Sequence, residues 1–208
     1  MSLTIPKQEK VILSNVSWQE FEHLLAEMGD TRAARIAYDR GIVEIIKPLP
    51  EHEYFKEVIA DLVKDLAEEL ELDYESLGST TWKRQDLLAG VEPDNCFYIQ
   101  NESLIRGRLD IDLSQDPPPD LALEIDITSK SLNRQPIYAR LGVPEIWCYD
   151  RGVLKIYHLQ GGTYLEDNTS LAFPNFPVKS IPSFIRENIS AGRRRIRKLF
   201  REWVKRVA

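Results

Sequence analysis

In the stretch Asp120-Leu121-Ala122-Leu123-Glu124-Ile125-Asp126-Ile127, acidic and small residues alternate with large apolar ones. A β-strand sends successive side chains to opposite faces. Leu121, Leu123, Ile125 and Ile127 therefore share a core face, and Asp120, Ala122, Glu124 and Asp126 share the other. Glu124 and Asp126 would lie about 6–7 Å apart at Cα. Like charges at that spacing repel, and burial raises their pKa values unless a cation stands nearby. Taken alone, the strand fits a solvated outer face as well as a functional one. A second acid changes the balance. Glu92-Pro93-Asp94 opens the strand-like run CFYIQ, and proline is tolerated at a strand entrance. If the two strands pair, Asp94, Glu124 and Asp126 converge at one end. Oxygen-only ligands of this kind suit a hard cation, Mg²⁺ or Mn²⁺. Such a cation can activate water and stabilise charge on a phosphoryl oxygen.

The elements that must position these residues can be read from patterning. Ser17 and Glu20 form a capping box opening a helix to about Met28. RIAYD and IVEIIK flank Arg40-Gly41 as a hairpin, and EIWCYD and VLKIYHL flank Arg151-Gly152 as another. Between Glu51 and Leu70, the residues Phe55, Val58, Ile59, Leu62, Val63, Leu66 and Leu70 form one apolar helical stripe. His52 shares that face at the N-terminal end, where the helix dipole disfavours its charged form. A core histidine and a neutral base or outer ligand are both open readings of it. LDYESLG, TTWKRQDLL, CFYIQ and LALEIDI read as short strands, NRQPIYARLG as a helix closed by Gly142, and Ile181 to Ile189 as helical. Residues 1–16 read as a tail and 161–179 as irregular. The order predicts an α/β fold with a mixed central β-sheet flanked by helices.

Composition narrows the class. The 208 residues are 43% hydrophobic and 29% charged, which fits a globular chain rather than a disordered or fibrous one. No run reaches the roughly 20 apolar residues of a membrane span, and the N-terminus lacks a signal-like apolar run. A cytoplasmic protein is expected. Cys96 and Cys148 are too few for a disulfide framework or a cysteine zinc site. The net charge of −6 is uneven. Residues 191–208 hold eight Lys and Arg against one Glu, +7, and the rest holds 19 against 32, −13. In that tail Ile196, Leu199, Phe200, Trp203, Val204 and Val207 follow helical spacing. Docking on the acidic body or in a dimer, contact with DNA, and a membrane surface are its three readings. Docking across a two-fold homodimer is the expectation adopted.

Pro93-Asp94 followed by Glu124-Ile125-Asp126 resembles the PD-(D/E)XK nuclease signature. PEHEYFKEVIADLVKDLAEEL, GSTTWKR, GVEPDNCFYIQ, PPPDLALEIDITSKSLNR and PIYARLGVPEIWCYD resemble the Uma-type "putative restriction endonuclease" family, formerly a domain of unknown function, over roughly residues 15–180. The resemblance implies a restriction-endonuclease-like core with an N-terminal helix and hairpin. Residues 1–190 are expected to form the nuclease-like domain, and 191–208, which lie outside the resemblance, read from their patterning as a basic amphipathic C-terminal helix. By position Asp94 matches the PD acid and Glu124 the second acid. Pro119-Asp120 competes, but it lies on the strand of Glu124, and the signature needs two strands.

The chain departs from the signature at the lysine, where Asp126 stands. The resemblance implies that the charge comes from elsewhere, with Lys130, just past the strand, and Arg134, four residues before the tyrosine of the YARLGVPE segment where the family has a basic residue, as candidates and Arg134 the better match. Lys83 is a third candidate, more simply a surface strand lysine. The PEHEYF segment matches the region where a helix residue borders the family's site, so His52 joins the candidates. The implied activity is Mg²⁺- or Mn²⁺-dependent hydrolysis of DNA phosphodiester bonds. Asp94, Glu124 and Asp126 would be the metal ligands, and Lys130, Arg134 and His52 would assist. A catalytically silent module of the same fold, binding nucleic acid or protein, is the alternative, and a hydrolase of another phosphate ester is a third.

Overall fold

The computed structural model describes residues 9–29, 34–126 and 132–207. The chain begins with β1 (Lys10–Ser14), α1 (Trp18–Met28), β2 (Arg35–Asp39), β3 (Ile42–Ile46) and the long helix α2 (Pro50–Glu69). It continues through β4 (Glu75–Ser76), β5 (Trp82–Arg84), β6 (Ala89–Val91), β7 (Asn95–Tyr98), α3 (Glu102–Ile105) and β8 (Leu121–Ile125). It closes with α4 (Gln135–Leu141), β9 (Glu145–Asp150), β10 (Val153–Gln160), β11 (Thr163–Asp167), α5 (Ile181–Asn188) and α6 (Arg193–Val207).

The strands form two sheets rather than one. Six are ordered β11-β10-β9-β8-β7-β4, and five are ordered β1-β3-β2-β6-β5. In the larger sheet β8 pairs antiparallel with β7 and parallel with β9, so it is mixed as expected. The smaller sheet arises because TTWKRQDLL is not one strand. It turns after Arg84, and β5 and β6 pair with each other and onto β2. Lys10–Ser14 is an edge strand on β3, not a featureless tail, and Thr163–Asp167 pairs with β10 in the segment expected to be irregular.

Local rules account for the rest. Both hairpins turn through two residues of positive φ, Arg40-Gly41 and Arg151-Gly152, the turn whose twist matches paired strands. Ser17 Oγ accepts the Glu20 N–H, and Glu20 returns to the Ser17 N–H at 2.7 Å. Proline stands at the first position of α2 and the second of α4, and Gly142 at φ 82° closes α4.

Strand β8 is buried along its whole length. Leu121, Leu123 and Ile125 pack with Val58, Leu62 and Leu66 of α2 on one face. Ala122 packs with Cys96, Tyr98 and Tyr138 on the other, where α4 and residues of the five-stranded sheet cover it. The alternation read from sequence holds, but the acidic face is interior, not solvated. Helix α1 covers the far sheet through Trp18 and Phe21 against Ile36, Tyr38 and Val43.

Helix α6 docks within its own chain, which corrects the expectation that a dimer covers it. Ile196, Phe200 and Val204 are buried in the core of α2, and Phe184 stacks on Trp203 with centroids 5.3 Å apart. Its basic side runs parallel to the acids of α2. Arg193 meets Asp61 at 2.5 Å, Arg197 forks onto buried Asp65 at 2.8 Å, and Lys205 meets Glu69 at 3.2 Å. Val207 stays 42% exposed. Truncating a buried phenylalanine costs about 3–5 kcal/mol. Phe200→Ala should lower the denaturant midpoint accordingly while light scattering shows an unchanged mass. A change of mass would mean that α6 also joins subunits.

Candidate functional site

The acids lie where β7 begins and β8 ends. Asp94 directly precedes β7 and is fully buried. Its N–H donates to the Leu123 carbonyl at 2.9 Å, and its Oδ2 accepts the Ile125 N–H, so it is stitched to β8 from both ends. Glu124, 2% exposed, projects from β8 into the second core. The pairing assumed from sequence is therefore present, and it places the two carboxylates on neighbouring strands.

Each carboxylate has a guanidinium. At Glu124, Arg134 Nη1 reaches both oxygens at 3.2 Å, and the Tyr138 hydroxyl donates to Oε1 at 2.6 Å. Arg134 is itself held by the Glu92 carbonyl at 3.3 Å and lies 3.8 Å from Glu44 Oε1. Glu44 Oε2 in turn accepts the Leu132 N–H. Burial works against the charge on Arg134, but Glu124, Tyr138 and Glu44 outweigh it and hold its pKa above the usual range. Burial, reinforced by Glu124, keeps Tyr138 far above the usual phenol range, so it stays a donor.

At Asp94, Arg35 from the start of β2 contacts Oδ1, and its other nitrogen meets Glu53 Oε1 at 3.1 Å. His52 Nε2 stands 3.2 Å from the same Asp94 oxygen and 3.5 Å from Arg35. Burial pushes Arg35 below its ordinary range, opposed by Glu53 and Glu124. At Glu53 burial raises the pKa, but Lys56 and Arg35 overcome it and hold the carboxyl low.

The other predicted residues fall as follows. Asp126 leaves the end of β8, bonded through its N–H to the Tyr149 carbonyl at 2.7 Å. It shares with Glu124, Tyr138, Cys148 and Tyr157 a cavity of about 350 Å³. Lys130 lies outside the described residues. Lys83 bonds Glu22 of α1 at 2.6 Å and takes no part in the cluster. Asp120 accepts from the Ile99 and Asn101 N–H groups and from Asn101 Nδ2, which makes it an anchor for the turn after β7. Sequence reasoning missed Arg35, Glu44, Glu53, Glu92 and Tyr138. Glu44 alone carried a local signal, a single acid inside the apolar run IVEII.

Among the described residues no three His, Cys, Asp or Glu side chains close into a metal cage. Mg²⁺ does not need one, because it is commonly held by one or two carboxylates and several waters. Asp94 and Glu124 supply that donor set. The buried polar residues here include four carboxyls, Glu44, Glu92, Asp94 and Glu124, against two guanidiniums, Arg35 and Arg134. Carboxylate oxygens are the donor type that such a cation takes.

A mixed α/β core carrying an acid pair on adjacent strands is the frame of a nuclease-type domain. Residues 18–188 match the profile of the Uma2 family, described as "Putative restriction endonuclease", and the chain belongs to that family. A crystal structure described as a putative nuclease of DUF820 from Anabaena variabilis aligns with 81% of this chain and 92% of its own, at 17% identity and a TM-score of 0.47. No curated protein matches. No described helix is long and apolar enough to cross a membrane.

Removing one partner of a buried pair costs about 3–5 kcal/mol, because the other charge is left uncompensated. Arg134→Ala should destabilise the protein by that order. Lys83→Ala, at a half-exposed pair, should cost no more than about 1 kcal/mol. Equal denaturation curves for the two variants would show that Arg134 does not neutralise Glu124.

Proposed function

We infer that the protein is a metal-dependent endonuclease that hydrolyses DNA phosphodiester bonds. The observation that carries the reading is the pair Asp94 and Glu124, buried on neighbouring strands of a chain that belongs to a restriction-endonuclease family. In this reading Asp94 and Glu124 hold Mg²⁺ or Mn²⁺, and Asp126 is an auxiliary ligand. When bound, the cation supplies a Lewis acid for the phosphoryl oxygen and lowers the pKa of a water.

The chain's own residues do the positioning. Arg134 stands in for the missing motif lysine. Its nitrogen bridges both Glu124 oxygens and aims that carboxylate, while the Tyr138 hydroxyl donates to one of the same oxygens. His52 lies against Asp94 and serves as a neutral base or outer ligand. Lys130, on the segment between Asp126 and Arg134, is the alternative cation for the phosphate. In this reading residues 1–190 belong to the nuclease-like domain and 191–208 to a C-terminal segment whose helix α6 (Arg193–Val207) docks on it. A cytoplasmic location goes with this reading. Cutting both strands of a duplex calls for two such sites, which a symmetric homodimer would supply.

A second reading has its own support. Asp126 replaces the motif lysine, and both key carboxylates already hold guanidiniums, as in a catalytically silent module that binds nucleic acid or protein. Plasmid nicking in Mg²⁺ or Mn²⁺ separates the two. Nicking should appear with the wild type and fall about 10²-fold or more in Asp94→Asn and Glu124→Gln, the scale of a lost electrostatic stabiliser. Arg134→Ala should fall alongside them. DNA retention without nicking by the wild type would favour the silent module, and nicking untouched by the acid substitutions would remove both residues from the site.

A further inference from the structure

Strand β10 separates the two faces of the six-stranded sheet. Leu154 and Ile156 are buried in the core shared with α2. Lys155 and Tyr157 alternate with them and so share the opposite face, Lys155 exposed and Tyr157 half-buried. Glu124 projects on that same face. It pairs with Cys148 of β9, and Cys148 pairs with Lys155 of β10, so the three stand in one row across the sheet. Ala122, Ile146 and Tyr157 form the next row in the same way. Two strand spacings put Lys155 about 10 Å from Glu124 at Cα.

Tyr157 and Cys148 line the cavity of about 350 Å³ that they share with Glu124 and Asp126. Lys155 neighbours both, which sets it at the rim of that cavity. Burial raises the Tyr157 pKa and the Lys155 charge opposes the rise, as an ammonium close to the phenol must.

The Lys155 charge has no answering acid. Lys47, Lys56, Lys83, Arg84, Arg140 and Lys179 each stand against a carboxylate. Among the described residues no carboxylate pairs with Lys155. Outside residues 191–208 the chain holds 19 Lys and Arg against 32 Asp and Glu, a balance that repels a polyanion. A DNA strand reaching the acid pair needs a cation where it lies on the sheet. An exposed ammonium without a carboxylate partner is suited to a phosphate as a point charge.

We propose that Lys155 is a DNA-backbone contact of the acid-pair site and holds a phosphate beside the one that is cut. This rests on the nuclease reading of the preceding section. The strand runs from the acid pair over Cys148 of β9 to β10. Two strands away from Glu124, Lys155 meets the backbone next to the reacting group rather than at it, and it is a positioning residue. Such a contact is made in the ground state and the transition state alike, so its loss raises KM and leaves kcat.

The test is binding of a labelled DNA duplex by the full chain across a salt series in Ca²⁺, with nicking kinetics in Mn²⁺ as the second readout. Lys155→Ala should lower the slope of log affinity against log salt by about 0.9, the share of one phosphate. It should raise the nicking KM several-fold with kcat unchanged, and Lys155→Arg, which keeps the charge, should restore both. Arg195→Ala removes an exposed cation of α6, the helix packed in the core on the opposite face of the sheet, and should leave the slope as it is. If the wild type binds and nicks DNA and Lys155→Ala matches it in slope and KM, the backbone contact is overturned and the nuclease reading stands. A fall in kcat with KM unchanged also overturns it, because Lys155 would then act on the reacting phosphate. A slope lowered by Arg195→Ala and not by Lys155→Ala puts the DNA on α6 and overturns it too. If the wild type binds without nicking, the slope alone decides. If it neither binds nor nicks, the nuclease reading falls and the inference with it.

Discussion

A carboxylate in a sheet covered on both faces must have a cation within reach, and much of this architecture follows from that requirement. Glu124 sits near the end of β8 with helices and a second sheet excluding water from it. An ionised carboxylate left alone there would cost far more than the few kcal/mol by which domains are stable. Arg134 must therefore be delivered to it. It arrives at the cap position of α4, whose proline-led start and Gly142 end keep the helix short. The parallel strand β9 can then follow directly and cover the other edge of β8. Tyr138, one turn further along α4, is placed by the same helix on the same carboxylate.

The second constraint is the same requirement at Asp94, and it explains the smaller sheet. Arg35 is the first residue of β2, and that strand lies between β3 and β6. The hairpin that carries Arg35 also carries Glu44, so one supersecondary unit supplies a cation to one half of the site and an anion to the other. Helix α2 brings His52 and Glu53 from its first turn while its apolar stripe packs on β8. The acids, their guanidiniums and the core are thus held by the same few elements. The site is as rigid as the packing beneath it.

What could be read from sequence follows from the range of each signal. The α2 stripe, the capping box, both Arg-Gly turns and the alternation in β8 are local patterns, and each appears where it was expected. The pairing of Asp94 with the end of β8 was a condition of the reading, supported by the resemblance to a two-strand signature and not by any local pattern. The partners of the acids were not legible, because a counter-ion is a contact between residues distant in sequence. Arg35 and Asp94 are far apart along the chain, and a lone arginine opening a strand looks like any edge residue. The second sheet was missed for a related reason. Gly90 and its neighbours in β6 gain strand character only by pairing with β2 and β5, and Gly90 itself is pressed against the Phe21 ring. Docking of α6 was ambiguous because one amphipathic pattern serves intramolecular and intermolecular burial alike. The buried Asp65, taking Arg197 and Arg201 together, resolves it in favour of the chain itself.

In the proposed reading, in which Asp126 stands where the signature has lysine, the arginine at 134 changes what chemistry the cluster can do. A buried lysine can lose its proton and act as a base. Arginine stays protonated at any working pH, and here Glu124, Tyr138 and Glu44 push its pKa further up. Its charge is a fixture, suited to orienting a carboxylate and unable to accept a proton from water. Tyr138 is excluded on the same ground, since burial and Glu124 keep its proton in place. Among the described residues that touch the acid pair, the group left with proton-accepting capacity outside the carboxylates themselves is His52. It sits at the positive end of α2 and within 3.2 Å of Asp94. Arg35 and Glu53 flank the same ring at 3.5 Å each, so the imidazole lies among the charged groups of the cluster.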